Sequence, residues 1–390
     1  MKRISHLLMV AAFAVPMTAC GGGDGSSGDD VADDDDAPVD PFDEELANRE
    51  YDYNAALRIA ALRLTGDLPT MAEILEISAP TDNAIKKSLY DARITEYMSR
   101  PTFATQMFYF WRDTFRMGDT PAAPEMDTAP ALAAQLSSDP NGSYMSLLTQ
   151  PTGNCPTFDE NTGVATPAEC PGTGPQAGVL GNPAVMKQFF GNFAFRRVKF
   201  VQETFDCVKF PVELDGAPQE IGAASPYTGQ WPFASIAGTD NGGRVNFQDT
   251  SAVICANCHQ TLNHIAPLFA NYDEQGVFQA TIAVPTPLDG GPLAVISDYY
   301  PAGETTGWRF GVVTPDIPSL GAAMAADPDI AKCGVARIWN WALGKTDIVD
   351  TLQEVPIETI STHVDAFTAD GFKLKNMIFA VYTSDDFTRF

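Results

Sequence analysis

Residues 255–259 read Cys-Ala-Asn-Cys-His. On an α-helix the sulfurs of Cys255 and Cys258 fall within one turn of each other, and the His259 imidazole follows at the next position. Three strongly coordinating groups in five residues constrain this part of the chain more than any other stretch. They call for a helix, which Asp249, Thr250 or Ser251 can cap at its start. They also call for one of three chemistries: covalent attachment of a c-type haem, a share of a zinc site, or a dithiol redox pair. The choice depends on the compartment in which the thiols are handled, and the start of the chain bears on that.

The chain opens with Lys2 and Arg3, an apolar run from Leu7 to Val15 and the small residues Thr18 and Ala19 before Cys20. This is the layout of a secretory signal. With cysteine at the cleavage point it resembles a bacterial lipoprotein signal, in which Cys20 becomes the lipidated first residue of the mature chain. The Met17-Thr18-Ala19 approach departs from the usual leucine at its first place, and ordinary cleavage with Cys20 as a spare thiol is the alternative. Residues 21–46 carry eleven acidic side chains and no basic one. Such a stretch cannot bury enough apolar surface to fold, and its like charges extend it, so it reads as a tether. Gly21 after the lipid cysteine points to the outer membrane of a Gram-negative cell. The expected location is exported, lipid-anchored, on the periplasmic or surface face.

The whole chain holds 24 basic and 50 acidic residues, a net charge of −26. Without Lys2, Arg3 and the eleven tether acids the body still stands near −17. A body this acidic repels phosphate backbones, which excludes nucleic acid as a partner. No second apolar stretch reaches membrane-spanning length. About 340 residues remain to fold, enough for two or three subdomains.

Seven cysteines are present. With Cys20 assigned to lipid and Cys255 and Cys258 to the motif, Cys155, Cys170, Cys207 and Cys333 remain. An even remainder in an oxidising compartment suggests two disulfides. Cys155 and Cys170 bracket a Pro/Thr/Gly-rich loop whose closure contributes about 3 kcal/mol through chain entropy. Cys207 and Cys333 then pair across the body, and other pairings stay open.

Most of the body reads as helix. Residues 51–65 have helical apolar spacing and stop at Gly66; Thr70 and Glu73 make a capping box for the next helix. Residues 82–99 repeat the pattern, and 102–117 form an aromatic helix ended by Gly118, whose stripe of Phe103, Met107, Phe110, Trp111 and Phe115 reads as core. After a Pro/Gly/Asn/Thr-rich stretch with short helices near 130–137 and 143–149, residues 183–207 return to helix. Residues 208–248 are loop-like and 277–320 lean to β-structure. Asp327 caps and Pro328 begins a helix to 343, and helices over 356–366 and 371–382 close the chain. The expected fold is mainly α: helical N-terminal and C-terminal parts around a cytochrome-c-like haem segment, with a small irregular β portion. The expected divisions are a signal at 1–20, an acidic tether at 21–48, a helical domain at 49–150, a cysteine-bracketed loop at 151–182, the haem domain at 183–320 and a C-terminal helical domain at 321–390.

In an exported chain the motif favours haem. Two thioether bonds take both sulfurs under one edge of the macrocycle, and His259 swings onto the iron from the same side. Zinc needs two further ligands; His264 could supply one, but there is no second CxxC or HxxxH. A thioredoxin-like dithiol needs a βαβ setting, which these helical neighbours do not offer. His259 is then the proximal ligand. His264 lies about 140° further round the helix and cannot easily reach the opposite face of the same haem. His363 reads as a surface residue. Met324, just before the 327–343 helix, is the leading distal candidate, with a core role or five-coordinate iron as the alternatives.

The chain resembles the planctomycete-type cytochrome c domain proteins over most of residues 55–390. LTGDLPTMAEI (64–74) and YFWRDTFRMG (109–118) look like the family's opening helices, and RRVKFVQETFDCVKFP (196–211) resembles the segment before its haem motif. CANCHQTLNHIAPLFANYDEQG (255–276) follows the family stretch without gaps, Asn271, Tyr272, Asp273 and Gly276 holding its second half. AKCGVARIWNWALGK (331–345) and MIFAVYTSDDFTRF (377–390) resemble its closing segments. Cys207 and Cys333 fall on family cysteine positions, which supports their pairing. The chain departs from the family at Asn263-His264-Ile265-Ala266, where Asp-Pro-x-Gly is usual, so a ligand role for His264 stays open. Lys345 stands where Arg is usual. The resemblance implies one covalent haem c held by Cys255, Cys258 and His259. The expected role is single-electron transfer to a redox partner with a basic patch; a peroxidase-like haem enzyme with an open distal site, or a protein in which haem is structural, are the alternatives.

Overall fold

The computed structural model describes residues 45, 48–118, 123–172, 174–209, 253–286, 290–309, 311–351 and 355–390, with the backbone alone at 124, 253–258, 260 and 351. The Cys20 signal, the acidic stretch to residue 44 and the expected cap at 249–251 lie outside these residues.

Local rules set the first helices. In α1 (Tyr53–Thr65) the Asp52 carboxylate accepts from the Asn54 and Ala55 amides, and Gly66 closes the helix at φ 80°. In α2 (Met71–Ser78) Thr70 and Glu73 exchange both bonds of a capping box, and in α3 (Asn83–Tyr97) Asp82 caps. The aromatic helix α4 (Pro101–Phe115) starts on its proline. It ends one turn before Gly118, because Arg116 itself adopts the left-handed conformation at φ 51°. Its apolar stripe packs along α5 (Thr128–Ser138), where the Trp111 indole N–H donates to Ser137 Oγ at 2.8 Å. The stripe is core, as its spacing implies.

The short helix α6 (Ser146–Thr149) leads into the cysteine-bracketed loop. That loop carries a hairpin, β1 (Thr157–Asp159) against antiparallel β2 (Val164–Thr166), closed by the Cys155–Cys170 disulfide. The helix read over 183–207 is broken. It divides into α7 (Pro183–Gln188), a 3-10 turn at Asn192–Ala194, α8 (Phe195–Val201) and a π-turn at Gln202–Asp206. The break falls where Phe193 and Ala194 both have positive φ, at 54° and 59°. A π-turn ends at Cys207, whose disulfide to Cys333 spans 126 residues.

Next come α9 (Val253–Phe269) and α10 (Ile296–Tyr299), then a two-residue hairpin of β3 (Gly307–Trp308) with β4 (Val312–Val313). Residues 296–299, expected to lean to β-structure, form a helical turn because the Asp298 carboxylate caps it by accepting from the Val295 amide at 2.8 Å. The chain closes through α11 (Ile317–Ala325), α12 (Pro328–Ala342), α13 (Ile348–Thr351), α14 (Ile357–Ala369), α15 (Leu374–Tyr382) and α16 (Asp385–Thr388). Asp327 caps α12 and Pro328 begins it.

Glu50–Phe390 is one compact unit, mainly helical with a small irregular β portion. α12 packs on α1, α14 and α15, and α15 packs on α5, so early and late helices share one core. The two ends of this unit meet: the Glu50 amide donates to the Phe390 carbonyl at 3.0 Å, and the Phe390 amide returns a bond to the Glu50 carbonyl at 2.9 Å.

Candidate functional site

The motif lies in the first half of α9, a helix surrounded by α8, the 192–194 turn, α10 and β3. The side chains of Cys255 and Cys258 are outside the described residues; their backbone is helical, as the motif requires. The face of α9 that follows is buried at Asn263, Ile265, Ala266 and Phe269. Pro267 has no N–H to give the carbonyl four residues back, which loosens the helix one turn beyond His259.

His259 is half-buried, and its Nδ1 lies 3.2 Å from Oδ1 of Asn263, which is buried. Burial pulls the imidazole below its ordinary pKa, against the Asn263 bond, so the ring is neutral at pH 7. A carbonyl-type oxygen at Nδ1 selects the tautomer with the proton there, which puts the ring's lone pair on Nε2, the arrangement a metal-bound histidine takes. The edge of Phe195 meets the ring at 5.4 Å and 77°. Phe195 stacks on Phe193, and both lie edge-on to the buried Tyr299. The Tyr299 hydroxyl has no hydrogen-bond partner among the described residues. A buried hydroxyl in that state calls for a bound group or water.

A second feature holds α9 to α7 and α8. The guanidinium of Arg197 is wholly buried and has no carboxylate partner among the described residues. It donates to Met186 O at 3.0 and 2.6 Å, Phe269 O at 2.8 Å, Tyr272 O at 2.8 Å and Asp273 O at 2.9 Å. Burial draws it down to about 10, so it stays charged at neutral pH. Asp273 organises the turn it caps, its carboxylate accepting from the Gln275 and Val277 amides at 2.9 Å. Gly276 is needed there: φ is 76°, and a Cβ would stand 2.1 Å from Pro183 O. The Asn271–Gly276 segment is therefore the brace between the end of α9 and the start of α7.

The other sequence candidates lie elsewhere. His264 points away from His259, its Nε2 at 2.9 Å from Glu304 Oε2 and its ring stacked on Tyr300 at 5.7 Å. Met324, for which a core role was one of the two alternatives, is inside α11 and fully buried where that helix packs on α6, α12 and β3. Asp316 caps a helix from Ile317, and its register puts Met324 in the core with Leu320 and Gly321. His363, expected at the surface, is half-buried against Trp339 at 5.5 Å.

Among the described residues no group of three His, Cys, Asp or Glu gathers as a metal site. The donor set on α9 fits a c-type haem: a neutral imidazole with its tautomer fixed, set in an aromatic neighbourhood, directly after the two cysteines. The sequence reading missed Asn263 as a partner, although its i+4 spacing from His259 on a helix was visible. It also missed Phe195 and Arg197, which act over distances no local pattern reports. Comparison of the chain with protein-family models, with curated proteins and with solved structures finds no match.

Proposed function

We propose that this chain is an exported, lipid-anchored cytochrome of the planctomycete-type cytochrome c domain family that holds one covalent haem and passes single electrons. Cys255 and Cys258 would carry the thioether bonds, His259 the proximal bond, and Cys20 the lipid. The observation that carries this reading is the His259–Asn263 pair, which sets the imidazole tautomer a metal-bound histidine takes on the residue that follows the cysteines. Two disulfides in one body support an oxidising compartment, where c-type haem is attached.

When bound, the haem supplies a one-electron couple between ferric and ferrous iron. The chain's own residues do the rest. Asn263 fixes the imidazole plane and keeps the proton on Nδ1, which strengthens Nε2 as a donor. Phe195, Phe193 and Tyr299 line the helix with apolar surface and keep water from the imidazole. Arg197 and the Asp273 turn hold α9 against α7 and α8, so the ligand helix moves little between oxidation states. The acidic body favours a partner with a basic docking patch, and that association slows as salt rises.

Spectra of the protein matured with haem, oxidised and reduced, test this reading. Low-spin spectra with reversible one-electron reduction support it. High-spin ferric iron that turns over peroxide assigns the protein to the enzymes instead, and protein that cannot be reduced reversibly argues for a structural haem.

A further inference from the structure

A cleft of about 560 Å³ opens between α1, α4, α8 and α12. It is lined by six cations, Arg63, Arg116, Arg196, Lys199, Arg337 and Lys345, against four carboxylates, Asp113, Glu203, Asp347 and Asp350. In a chain with twice as many acids as bases this is a local reversal of sign. The carboxylates do not absorb all of the charge. Arg116 spans Glu203 at 3.3 Å and Asp350 at 2.8 Å, Lys199 reaches Glu203 at 3.8 Å, and Arg337 pairs with Asp347. Arg63, Arg196 and Lys345 have no carboxylate within ion-pair distance among the described residues. Arg196 uses one N–H on the Phe190 carbonyl at 3.2 Å.

Three further observations point to a ligand. Arg337 is 4 % exposed, and its Nε has no hydrogen-bond partner among the described residues. Arg116 holds its place from a left-handed backbone at φ 51°, which a side chain with a Cβ adopts at a cost of about 1–2 kcal/mol. The rest of the wall mixes rings with uncharged polar groups, Gln106, Thr114, Gln188, Thr204 and Asn340; among the rings, Phe110 lies 5.1 Å from Trp341, and Phe189 stacks on Phe200 at 4.6 Å. The Arg63 guanidinium stands beside the turn at Gly344, next to Lys345, so two of the three uncommitted charges share one side of the cleft.

We propose that this cleft binds a small aromatic carboxylate. The ring lies against Phe110, Phe200 and Trp341, and the carboxylate faces Arg63 and Lys345. The rings reward a planar body, while guanidinium and ammonium groups without a carboxylate partner reward one anionic end. The site is separate from the haem proposal: α8 turns Phe195 toward His259 and Arg196 and Lys199 toward the cleft.

Calorimetric titration of the full-length protein with 2-naphthoate, its neutral alcohol analogue and inorganic phosphate tests this. We expect 2-naphthoate to bind at least tenfold more tightly than the alcohol or phosphate, and Arg63→Gln with Lys345→Gln to weaken it by roughly tenfold. The single Lys345→Gln variant, at an exposed position, reads the same effect at smaller size if the double variant melts early. No binding by folded protein, equal binding of the alcohol, phosphate competing as well as naphthoate, or unchanged affinity in the variants would each overturn the proposal. The readout does not depend on haem.

Discussion

Replacing Arg197 with methionine removes a buried fork of five hydrogen bonds while keeping a side chain of similar length. The fork satisfies four carbonyls, and two of these, Met186 O and Tyr272 O, receive no backbone donor among the described residues. Leaving a buried carbonyl without a partner costs about 1–3 kcal/mol, and bonds to a charged group are the stronger kind. The two orphaned carbonyls together therefore cost about 2–6 kcal/mol. The apolar substitute recovers part of this, because no buried charge remains to be solvated. A net loss of about 3–4 kcal/mol is expected, a large share of the stability of any domain. Arg197→Lys should lose nearly as much, since one ammonium group cannot reach three sides of the fork. Guanidinium denaturation followed by far-UV circular dichroism, with both disulfides intact, gives the midpoint shift. A loss under about 1 kcal/mol for Arg197→Met would refute the claim that this side chain braces α9 to α7 and α8.

Gly321→Ala should cost about 1–3 kcal/mol or more in the same denaturation assay, because the new Cβ would stand 1.9 Å from the Leu148 carbonyl oxygen; a neutral result would contradict the packing of α11 on α6. Burial pushes the Asp206 carboxyl up to about 7, against the pull of the neighbouring Arg309 guanidinium. Between about pH 4 and 7 the native state then keeps a proton that the unfolded chain has released, so stability falls as pH rises through this window. Asp206→Asn should remove on the order of 2 kcal/mol from the difference between pH 5 and pH 8, measured by thermal melts, and an unchanged slope would count against that burial. Removing the Cys207–Cys333 bridge as a double alanine variant should cost about 4–5 kcal/mol, since it closes a loop of 126 residues; a melting temperature within a degree or two of the parent would contradict this.

Where local chemistry decides, the sequence was readable. The Thr70–Glu73 capping box, the Asp327–Pro328 helix start and the buried stripe of the aromatic helix follow from spacing and side-chain type alone. The misreadings have one physical origin: tertiary packing overrides propensity. Phe193, Ala194 and Arg116 take left-handed backbone although none of them is glycine or asparagine, so the early stop of α4 left no local mark, whereas Gly191-Asn192 did stand before the break that precedes α8. The turn at 296–299 was hidden by the β-branched and aromatic residues around it, and the helix that sets Met324 in the core begins at Asp316, inside a stretch read as β-leaning. At the site, the five residues of the motif stood out, and Asn263 lay at helical spacing from His259. Phe195 and Arg197 reach α9 across more than sixty residues of chain, which no periodicity encodes.

The central claim is that Cys255 and Cys258 are bonded to a porphyrin. Its most direct measurement is mass spectrometry of the proteolytic peptide spanning residues 255–259, from protein produced in a host that attaches c-type haem. The account predicts a peptide heavier by one haem, with both cysteines refractory to alkylation after denaturation. A peptide of unmodified mass whose two thiols alkylate freely would contradict it.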